Sequence, residues 1–510
     1  MYSNIPRLEA ESQAPESFWC LNHRSAICLV TDEGRSLSYS SLQREVDAIK
    51  TALAAPLKSL AFVMCSQSVS SLAGYLACLQ AGHAAVLLPH DMDPALLAPL
   101  LAAYRPDFIW TPCPLEGGGY ADSGFAREGY RLYHTEQPSS AAPIHPDLAL
   151  MLTTSGSTGN PKVVRLSYSN LQANACSIAD YLEIGPRDRP LTSLPMHYSY
   201  GLSVINSHLL RGATLVQTSK KIRSPEFWQF ARTYGATSLA GVPYVYQILH
   251  EIGFESMDLP SLRAMTQAGG YLDIALQDHF IRLAKRKGIR YYTMYGQTEA
   301  TARISYVPSH RAEEGAGSIG IPIPGGKFEI VDGELVYSGP NVMLGYAECR
   351  EDLSKGDELQ GRLFTGDIAR FGDNGFCYVV GRKKRFIKPM GLRINLDDVE
   401  RQLTAHLRQR CVVVGTDSCI RVISTSPDVE AAAIHFIRST YHISGKLCSF
   451  AAIDEIPLLP TGKVDYGALQ SSAFSADAAA SEEVIPMTAS GRHDAEVVAF
   501  PGEDPIAEAV

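Results

Sequence analysis

The chain has 510 residues, of which 45% are hydrophobic and 19% are charged, and its net charge is −9 at neutral pH. This length allows two to four folding units, and the composition is ordinary for a globular protein. Residues 471–510 hold eight acids and one arginine, a net charge of −7, so the rest of the chain is nearly neutral and offers no general attraction for nucleic acid.

The cysteines and the start of the chain indicate the compartment. The eleven cysteines contain no C-x-x-C pair, which is typical of reduced thiols rather than of disulfides or a zinc site. The first twenty residues have no basic start and no apolar run, and no apolar stretch reaches the about 18 residues that a membrane helix needs. The sequence therefore predicts a cytoplasmic protein without a signal peptide or a membrane span.

The first 115 residues alternate predicted strands and helices. Apolar runs at 60–64, 84–89 and 107–111 predict buried parallel strands. Helical spacing of apolar residues from Leu42 to Leu53, and the segment 71–82 with its glycine stop, predict the helices between them. Short links between such elements indicate right-handed crossovers and a parallel sheet that is covered on both faces.

The same alternation resumes at 148–152 and continues with a predicted helix from Leu171 to Leu182. From about 315 to 380, Gly and Pro separate short strands, which predicts a small β-rich subdomain. Residues 385–470 have the pattern of a compact α/β piece. Residues 471–510 are rich in Ala, Ser and acids, and we expect them to form a disordered tail.

The strongest local motif is TSGSTGNPK at 154–162, directly after an apolar strand. Small residues let backbone N–H groups converge on an anion, and Ser155, Thr158 and Lys162 add hydroxyl donors and a positive charge. The motif is not a Walker loop, because only two residues separate Gly159 from Lys162. It predicts a polyphosphate site, and a flexible surface loop is the alternative.

Seven further motifs follow along the chain. They are PMHYSYGL (195–202), AGGYL (268–272), YGQTEAT (295–301), GELVYSGPNVMLGY (333–346), GRLFTGD (361–367), GRKKRFIKPMGLRINLDDVE (381–400) and LPTGK (459–463). With 154–162, these motifs resemble, in the same order, those of the adenylate-forming superfamily of acyl-CoA synthetases, aryl-CoA ligases, peptide-synthetase adenylation domains and beetle luciferases. The resemblance covers roughly residues 20–470.

The pattern of elements and the resemblance together predict an α/β fold in two domains. Residues 1–383 are expected to form a large N-terminal AMP-binding domain with two doubly wound parallel-sheet subdomains and a small β-rich subdomain. Residues 384–470 are expected to form a small, mobile α+β domain, followed by the acidic tail 471–510.

The resemblance implies how ATP is held. Loop 154–162 holds the β- and γ-phosphates, Tyr295 stacks on adenine, and Asp367 accepts hydrogen bonds from both ribose hydroxyls. One carboxylate matches two vicinal hydroxyls well. The residues assigned to ATP are Thr154, Ser155, Gly156, Ser157, Thr158, Gly159, Lys162, Gly269, Gly270, Tyr295, Gly296, Asp367 and Arg382.

The resemblance also implies a catalytic set. Lys463 bridges the substrate carboxylate and the α-phosphate, Thr298 contacts the α-phosphate, Glu299 holds Mg²⁺, and His197 lies beside the acyl pocket. A carboxylate with a pKa of ~4 is already ionised and needs no general base. The difficulty is to bring two anions together, which is work for cations and oriented donors.

Each assignment has an ordinary alternative. Glu299 could be an acid at a helix N-terminus, and Asp367 could be a turn residue. Lys463 could be a solvated lysine, and His197 could be a structural histidine.

The basic run from Lys383 to Lys388 would usually be a solvated face. The resemblance instead implies a hinge at Lys384, with Gly391 facing the channel through which the thiol enters.

The segment between Pro195 and Arg211 contains no acid, so a substrate ammonium group would lack a partner and α-amino acids are disfavoured. Tyr198, Tyr200 and Tyr244 offer an aromatic wall that suits a fatty, aryl or short-chain acyl group. No attachment serine for phosphopantetheine is evident after Lys463, so we expect an acceptor in trans: coenzyme A, or the phosphopantetheine of a carrier protein.

Two other classes of function are alternatives to a ligase. One is a non-catalytic nucleotide-binding homologue, which intact Lys463, Glu299 and Asp367 argue against. The other is an oxygenase of the luciferase type.

Overall fold

The structure is a computed structural model, and it describes residues 17–23, 25–115, 119–136, 143–153, 162–387, 389, 394–416, 418–441, 443–459 and 463–479. Most of the predicted phosphate loop, residues 154–161, lies outside the described residues, as does Gly391. For Lys384 the structure describes the backbone.

Most helices of the described residues begin at a polar cap. Ser38, Ser68 and Ser167 each accept a hydrogen bond from the backbone three residues on, which satisfies one of the free N–H groups of the first turn. No helix in this part of the chain is long and apolar enough to cross a membrane. The helices are α1 (Tyr39–Ala52), α2 (Val69–Gln80), α3 (Pro94–Tyr104), α4 (Tyr168–Tyr181), α5 (Ser199–Leu210), α6 (Pro225–Thr233), α7 (Pro243–Glu251), α8 (Ile274–Arg286), α9 (Leu396–Leu407), α10 (Glu430–Tyr441) and α11 (Tyr466–Ala479).

The strands are short, and most of them are buried. They are β1 (Ile27–Val30), β2 (Ser36–Ser38), β3 (Leu60–Cys65), β4 (Ala84–Pro89), β5 (Phe108–Thr111), β6 (Tyr120–Arg127), β7 (Tyr130–Thr135), β8 (Leu148–Thr153), β9 (Val163–Ser167), β10 (Pro190–Thr192), β11 (Leu215–Gln217), β12 (Ser238–Gly241), β13 (Ala264–Gln267), β14 (Arg290–Tyr295), β15 (Ser305–Tyr306), β16 (Ile321–Pro322), β17 (Lys327–Val331), β18 (Glu334–Ser338), β19 (Gly345–Ala347), β20 (Arg362–Phe371), β21 (Cys377–Arg382), β22 (Phe386–Ile387), β23 (Ile394–Asn395), β24 (Cys411–Thr416), β25 (Cys419–Ser424) and β26 (Cys448–Ala452).

Two large sheets form the body of the protein. In the first, the strand order is β19-β9-β8-β4-β3-β5-β7-β6, and β8, β4, β3 and β5 are parallel. In the second, the order is β16-β15-β14-β13-β12-β10-β11-β1-β2, and the strands from β14 to β1 are parallel. Residues of α1, α2, α4 and α5 share the largest core with both sheets. This is the predicted pair of doubly wound subdomains.

Two smaller units complete the fold. Strands β17, β18, β20 and β21 form an antiparallel sheet, the predicted β-rich subdomain. In the C-terminal part, β24, β25 and β26 form a sheet that packs with α9 and α10 around Val399, Val413 and Ile437. The second face of this sheet packs with α11.

The predicted start of the tail at residue 471 is wrong. Helix α11 continues to Ala479, and Ala473 is 3% exposed in a core that it shares with Val412 and Leu469. Arg421 donates a hydrogen bond to the Ala473 carbonyl. Alanine is small enough to pack closely on the sheet, so the lack of large apolar residues concealed this helix.

Candidate active site

The site forms where four neighbouring parallel strands end. In the order β10, β12, β13 and β14, these strands place the loops after their carboxyl ends at one edge of the second sheet. His197 comes after β10, Gly269 after β13 and Thr298 after β14. Ligands of open α/β sheets bind at this edge, so the sheet itself gathers residues that lie about a hundred positions apart.

Asp367 lies at the centre of a hydrogen-bonded cluster. Its Oδ2 accepts a hydrogen bond from the Tyr295 hydroxyl, and its Oδ1 lies 3.3 Å from Nε of Arg382. Burial raises the pKa of Asp367, while Arg382 and the Tyr295 hydroxyl oppose the rise. The cluster thus gathers a carboxylate, an aromatic ring and a cation from two different sheets.

Lys463 reaches this cluster from the C-terminal part of the chain. Its Nζ lies 6.0 Å from the centre of the Tyr198 ring. Burial and the nearby Arg382 lower the pKa of Lys463, whereas the charges of Glu299 and Asp367 raise it. The predicted catalytic lysine is therefore in the electrostatic field of both predicted site acids.

Glu299 is held by a residue that the sequence did not single out. The Tyr346 hydroxyl donates a hydrogen bond of 2.9 Å to Oε1 of Glu299. Nζ of Lys162 lies 5.5 Å from the centre of the same tyrosine ring and 3.1 Å from Oε1 of Glu348. Tyr346 therefore links the end of the predicted phosphate loop to the predicted magnesium ligand.

The loops after β13 and β14 pack closely against the start of α5. The Thr298 hydroxyl lies 3.4 Å from the Ser199 hydroxyl. Gly269 has φ = +87°, and a Cβ added there would lie 2.6 Å from the Tyr198 hydroxyl oxygen. A Cβ at Gly296 would lie 1.9 Å from the Ala302 carbonyl oxygen, so only glycine fits. The Gly270 carbonyl accepts a hydrogen bond from Gln267.

His197 is half-buried. Burial lowers the pKa of His197 to about 4, with opposing effects of Asp91 and His90. Its Nδ1 has no hydrogen-bond partner in the described part of the chain. A neutral ring with a free nitrogen could orient a substrate group, which keeps the prediction for His197 open.

The three predicted pocket tyrosines lie in different surroundings. The Tyr198 ring faces Lys463, and Tyr200 packs edge-on against it with 6.3 Å between ring centres. The Tyr200 hydroxyl donates to the Thr266 carbonyl at 2.9 Å. Tyr244 is half-buried, and its hydroxyl lies beside exposed Arg223, so its place in the pocket stays a prediction.

Comparison with known proteins identifies the family. Residues 18–347 match the family model described as AMP-binding enzyme.

The chain belongs to the AMP-binding enzyme family.

Individual relatives agree with this assignment. Isonitrile lipopeptide synthase of Streptomyces coeruleorubidus is 27% identical over 88% of this chain and 33% of that protein. The 2-succinylbenzoate–CoA ligase of Bacillus cytotoxicus is 30% identical over 56% of this chain and 62% of that protein. The chain thus spans between a third and two thirds of the length of these two relatives.

A solved structure shows the same fold. The o-succinylbenzoate CoA synthetase of Bacillus subtilis, in complex with its acyl-adenylate intermediate, has a TM-score of 0.70 and 22% identity, and the match covers 88% of this chain and 97% of that one. The predicted family and fold class are confirmed.

The described residues of this AMP-binding enzyme fit a nucleotide and a metal ion. Each oxygen of Asp367 has one protein partner, from Tyr295 or Arg382, and can accept a further hydrogen bond from a ribose hydroxyl. Oε1 of Glu299 is bonded to Tyr346, and Oε2 makes no hydrogen bond with the described residues. Mg²⁺ favours one or two carboxylate oxygens together with phosphate and water, which suits this open oxygen.

A second residue that the sequence did not reveal is Glu334, which is 5% exposed. Its Oε1 accepts a hydrogen bond of 2.9 Å from the backbone N–H of Gly366, and its Oε2 pairs with Lys383 at 2.8 Å. Glu334 thereby fixes the turn that carries Asp367. Glu334 lies in the motif GELVYSGPNVMLGY, but the partners of a buried carboxylate cannot be read from local sequence.

Proposed function

We propose that the chain activates a carboxylic acid with ATP to an acyl-AMP, releases pyrophosphate, and then transfers the acyl group to a thiol. The observation that carries the proposal is the position of Lys463 beside Tyr198, in the field of Glu299 and Asp367. Relatives named as CoA ligases support the same activity.

The described residues suit the first half-reaction. Lys463 provides a partly desolvated cation where a carboxylate and the α-phosphate, both anionic, would meet. Asp367 and Tyr295 would hold the ribose and adenine, and the Thr298 hydroxyl would donate to an α-phosphate oxygen. Mg²⁺ at Glu299 would supply charge neutralisation of the phosphates.

We propose Mg²⁺ as the metal and coenzyme A as the principal acceptor. The name 2-succinylbenzoate–CoA ligase supports coenzyme A. The alternative acceptor is phosphopantetheine on a separate carrier protein, and the likeness to a lipopeptide synthase supports testing it. Free α-amino acids are expected to be poor substrates, because no acid lies between Pro195 and Arg211.

A panel of acids tests the proposal. Protein, ATP and Mg²⁺ are mixed with fatty, aryl, short-chain, dicarboxylic and amino acids, and pyrophosphate is measured. Coenzyme A or a phosphopantetheine-loaded carrier is then added, and the thioester is quantified. Pyrophosphate release that depends on an acid supports the proposal. If ATP binds and no acid elicits pyrophosphate, the chain is a nucleotide-binding homologue without this activity.

We further propose that Lys384 is the hinge between the half-reactions. Lys383 is tied to Glu334 in the large domain, whereas Arg385 pairs with Asp397 at the start of α9 in the small domain. Lys384 thus lies between two ion pairs, one in the large domain and one in the small domain. Asp397 Oδ2 also accepts a hydrogen bond of 2.9 Å from the backbone N–H of Arg382, a bond that rotation at Lys384 would break.

The substitution Lys384→Pro tests the hinge, because proline fixes φ near −65° and also restricts the preceding residue. We expect the variant to form acyl-AMP but to lose most thioester formation. Equal slowing of both half-reactions in a folded variant would exclude Lys384 as the hinge.

A further inference from the structure

Tyr346 joins the two large sheets beside the end of the predicted phosphate loop. It belongs to β19, at one edge of the first sheet, and pairs with Val164 of β9. Lys162, the last residue of the loop, directly precedes β9, whereas Glu299 belongs to the second sheet and follows β14. The Tyr346 hydroxyl donates a hydrogen bond of 2.9 Å to Oε1 of Glu299. One side chain of the first sheet thus reaches the predicted metal ligand of the second.

The backbone around Tyr346 is held in place on both sides of this contact. Arg165, whose side chain is fully buried, donates from Nε to the Tyr346 carbonyl at 3.1 Å. The backbone N–H of Met343 donates to the Glu299 carbonyl at 2.9 Å. Glu299 is therefore bonded to the same short segment of chain through its backbone and through its carboxylate. These bonds restrain the Tyr346 hydroxyl and its partner together.

The bond from Tyr346 occupies one oxygen of the Glu299 carboxylate and restrains the other. Oε2 makes no hydrogen bond with the described residues. A free glutamate side chain loses rotamer freedom when it binds a metal ion, so a carboxylate that is already restrained binds at lower cost. Mg²⁺ requires nearly octahedral geometry and is commonly held by one or two carboxylates together with phosphates of the substrate. Groups that orient a metal-binding side chain commonly contribute roughly ten- to a hundredfold to metal affinity.

We propose that Tyr346 is a positioning residue for the magnesium ion, which orients Glu299 and fixes its distance from Lys162 at the end of the phosphate loop. Nζ of Lys162 lies 5.5 Å from the centre of the Tyr346 ring, so this side chain neighbours both the cation and the carboxylate. A metal ion that contacts both the phosphates and Glu299 requires a set spacing between them. The inference rests on the proposed function, because it assigns a residue to the ATP and Mg²⁺ site of that reaction.

Nucleotide binding without turnover tests the inference. The affinity for a non-hydrolysable ATP analogue is measured by calorimetry with Mg²⁺ and with EDTA, and the ratio of the two affinities gives the gain from Mg²⁺. In Tyr346→Phe, which removes only the hydroxyl, this gain should fall by roughly tenfold, while the affinity in EDTA stays unchanged. Tyr378→Phe removes a hydroxyl bonded to Asn374 at 2.9 Å and is the control, which should keep the wild-type gain.

Kinetics and a double substitution show whether Tyr346 acts through Glu299. In Tyr346→Phe, the Mg²⁺ concentration for half-maximal pyrophosphate release should rise by roughly tenfold, with little change in kcat at saturating Mg²⁺. Glu299→Gln should itself remove the gain from Mg²⁺ in analogue binding, and adding Tyr346→Phe should then change nothing further. A lowered gain in the double variant relative to Glu299→Gln would show that Tyr346 does not act through this carboxylate.

The outcomes separate the inference from the proposed activity. If Tyr346→Phe keeps the wild-type gain, or weakens binding equally with Mg²⁺ and with EDTA, Tyr346 does not position the metal ion. The inference then fails while acid activation stands. If the gain depends on Tyr346 and no acid elicits pyrophosphate, the proposed activity fails instead.

Discussion

Two clusters of the same composition lie on either side of Lys384. Each contains a carboxylate, a tyrosine hydroxyl and an arginine, yet their hydrogen bonding differs. The Asp367 cluster consists of Asp367, Tyr295 and Arg382, and the Glu400 cluster consists of Glu400, Tyr466 and Arg385.

The Glu400 cluster is closed. Oε1 of Glu400 accepts from the Tyr466 hydroxyl at 2.8 Å, and Oε2 accepts from the Val413 backbone at 3.0 Å and from Arg385 at 3.1 Å. The Arg385 side chain is only 14% exposed, and its guanidinium lies 3.9 Å from the centre of the Tyr466 ring. The hydrogen-bond partners of both Glu400 oxygens lie within the small domain, so we expect this cluster to stabilise that domain.

The Asp367 cluster is open. The Asp367 side chain is 7% exposed, less than the 21% of Glu400, but the Arg382 side chain is 65% exposed and its Nε approaches Oδ1 only to 3.3 Å. Burial raises the pKa of both acids, Asp367 and Glu400, and the neighbouring arginines oppose it. The lesson is that spare acceptor capacity on a buried carboxylate, rather than burial or charge, distinguishes a candidate ligand site from a structural ion pair.

The largest effect is expected at Lys463, which the small domain contributes to the Asp367 cluster. Lys463→Ala should slow acyl-AMP formation by roughly 10²–10³-fold, because a preorganised cation is lost where two anions meet. Thioester formation from supplied acyl-AMP should be largely retained. Pyrophosphate release and thioester assays measure the two steps. Lys285→Ala, which removes an exposed lysine paired with Glu313, is the control. Unchanged adenylation in Lys463→Ala would refute the catalytic role.

The next largest effects are expected from matched substitutions of the two acids, Asp367 and Glu400. Asp367→Asn should raise KM for ATP by roughly 10–100-fold, since charge-assisted hydrogen bonds to the ribose are lost, and should change Tm little. Glu400→Gln should leave KM for ATP unchanged and lower the free energy of unfolding by about 2 kcal/mol, because Arg385 loses a charged partner. Thermal unfolding measures the change in stability of both variants, and ATP titration measures the change in KM. If the two variants behave alike, the distinction between open and closed clusters is wrong.

The sequence was sufficient to predict strands that are buried on both faces of a sheet, because such strands are continuous apolar runs. The apolar runs at 60–64 and 84–89 became β3 and β4, whose residues are almost all buried. The order of the motifs was sufficient to predict that Tyr295, Asp367 and Lys463 lie close together. These features depend on local composition and on a resemblance that covers most of the chain.

The sequence was not sufficient where a side chain finds its partner far along the chain. The bond from Tyr346 to Glu299, 47 positions away, follows from sheet order and packing. The start of the tail was misjudged because Ala473 contributes to a core that requires small residues. Such partners are set by tertiary geometry, which no local pattern encodes.

A smaller effect is expected from His197, which lies outside both clusters. Its pKa is lowered to about 4 by burial, whereas the unfolded chain has a histidine pKa of about 6.5. Between these values the unfolded state binds the extra proton, so stability decreases as pH falls from about 6.5 to 4. In His197→Gln this loss should shrink by about 2 kcal/mol, which denaturant unfolding at several pH values would measure. Parallel pH profiles of variant and wild type would contradict the assignment.

The smallest effect concerns the end of the small domain, where the closed Glu400 cluster and α11 meet at Tyr466. A chain that ends after Gln470 loses the buried methyl group of Ala473 and the carbonyl that accepts from Arg421. We expect the free energy of unfolding to fall by about 1 kcal/mol. A chain that ends after Ala479 keeps both groups and removes residues rich in Ala, Ser and acids, so its Tm and pyrophosphate release should match those of the full chain. Thermal unfolding of the two truncations, measured side by side, separates the helix from the residues that follow it. If the shorter chain is as stable as the longer one, the turns of α11 beyond Gln470 add nothing to the domain. If the longer chain loses activity, residues 480–510 serve the enzyme in a way that their composition does not reveal.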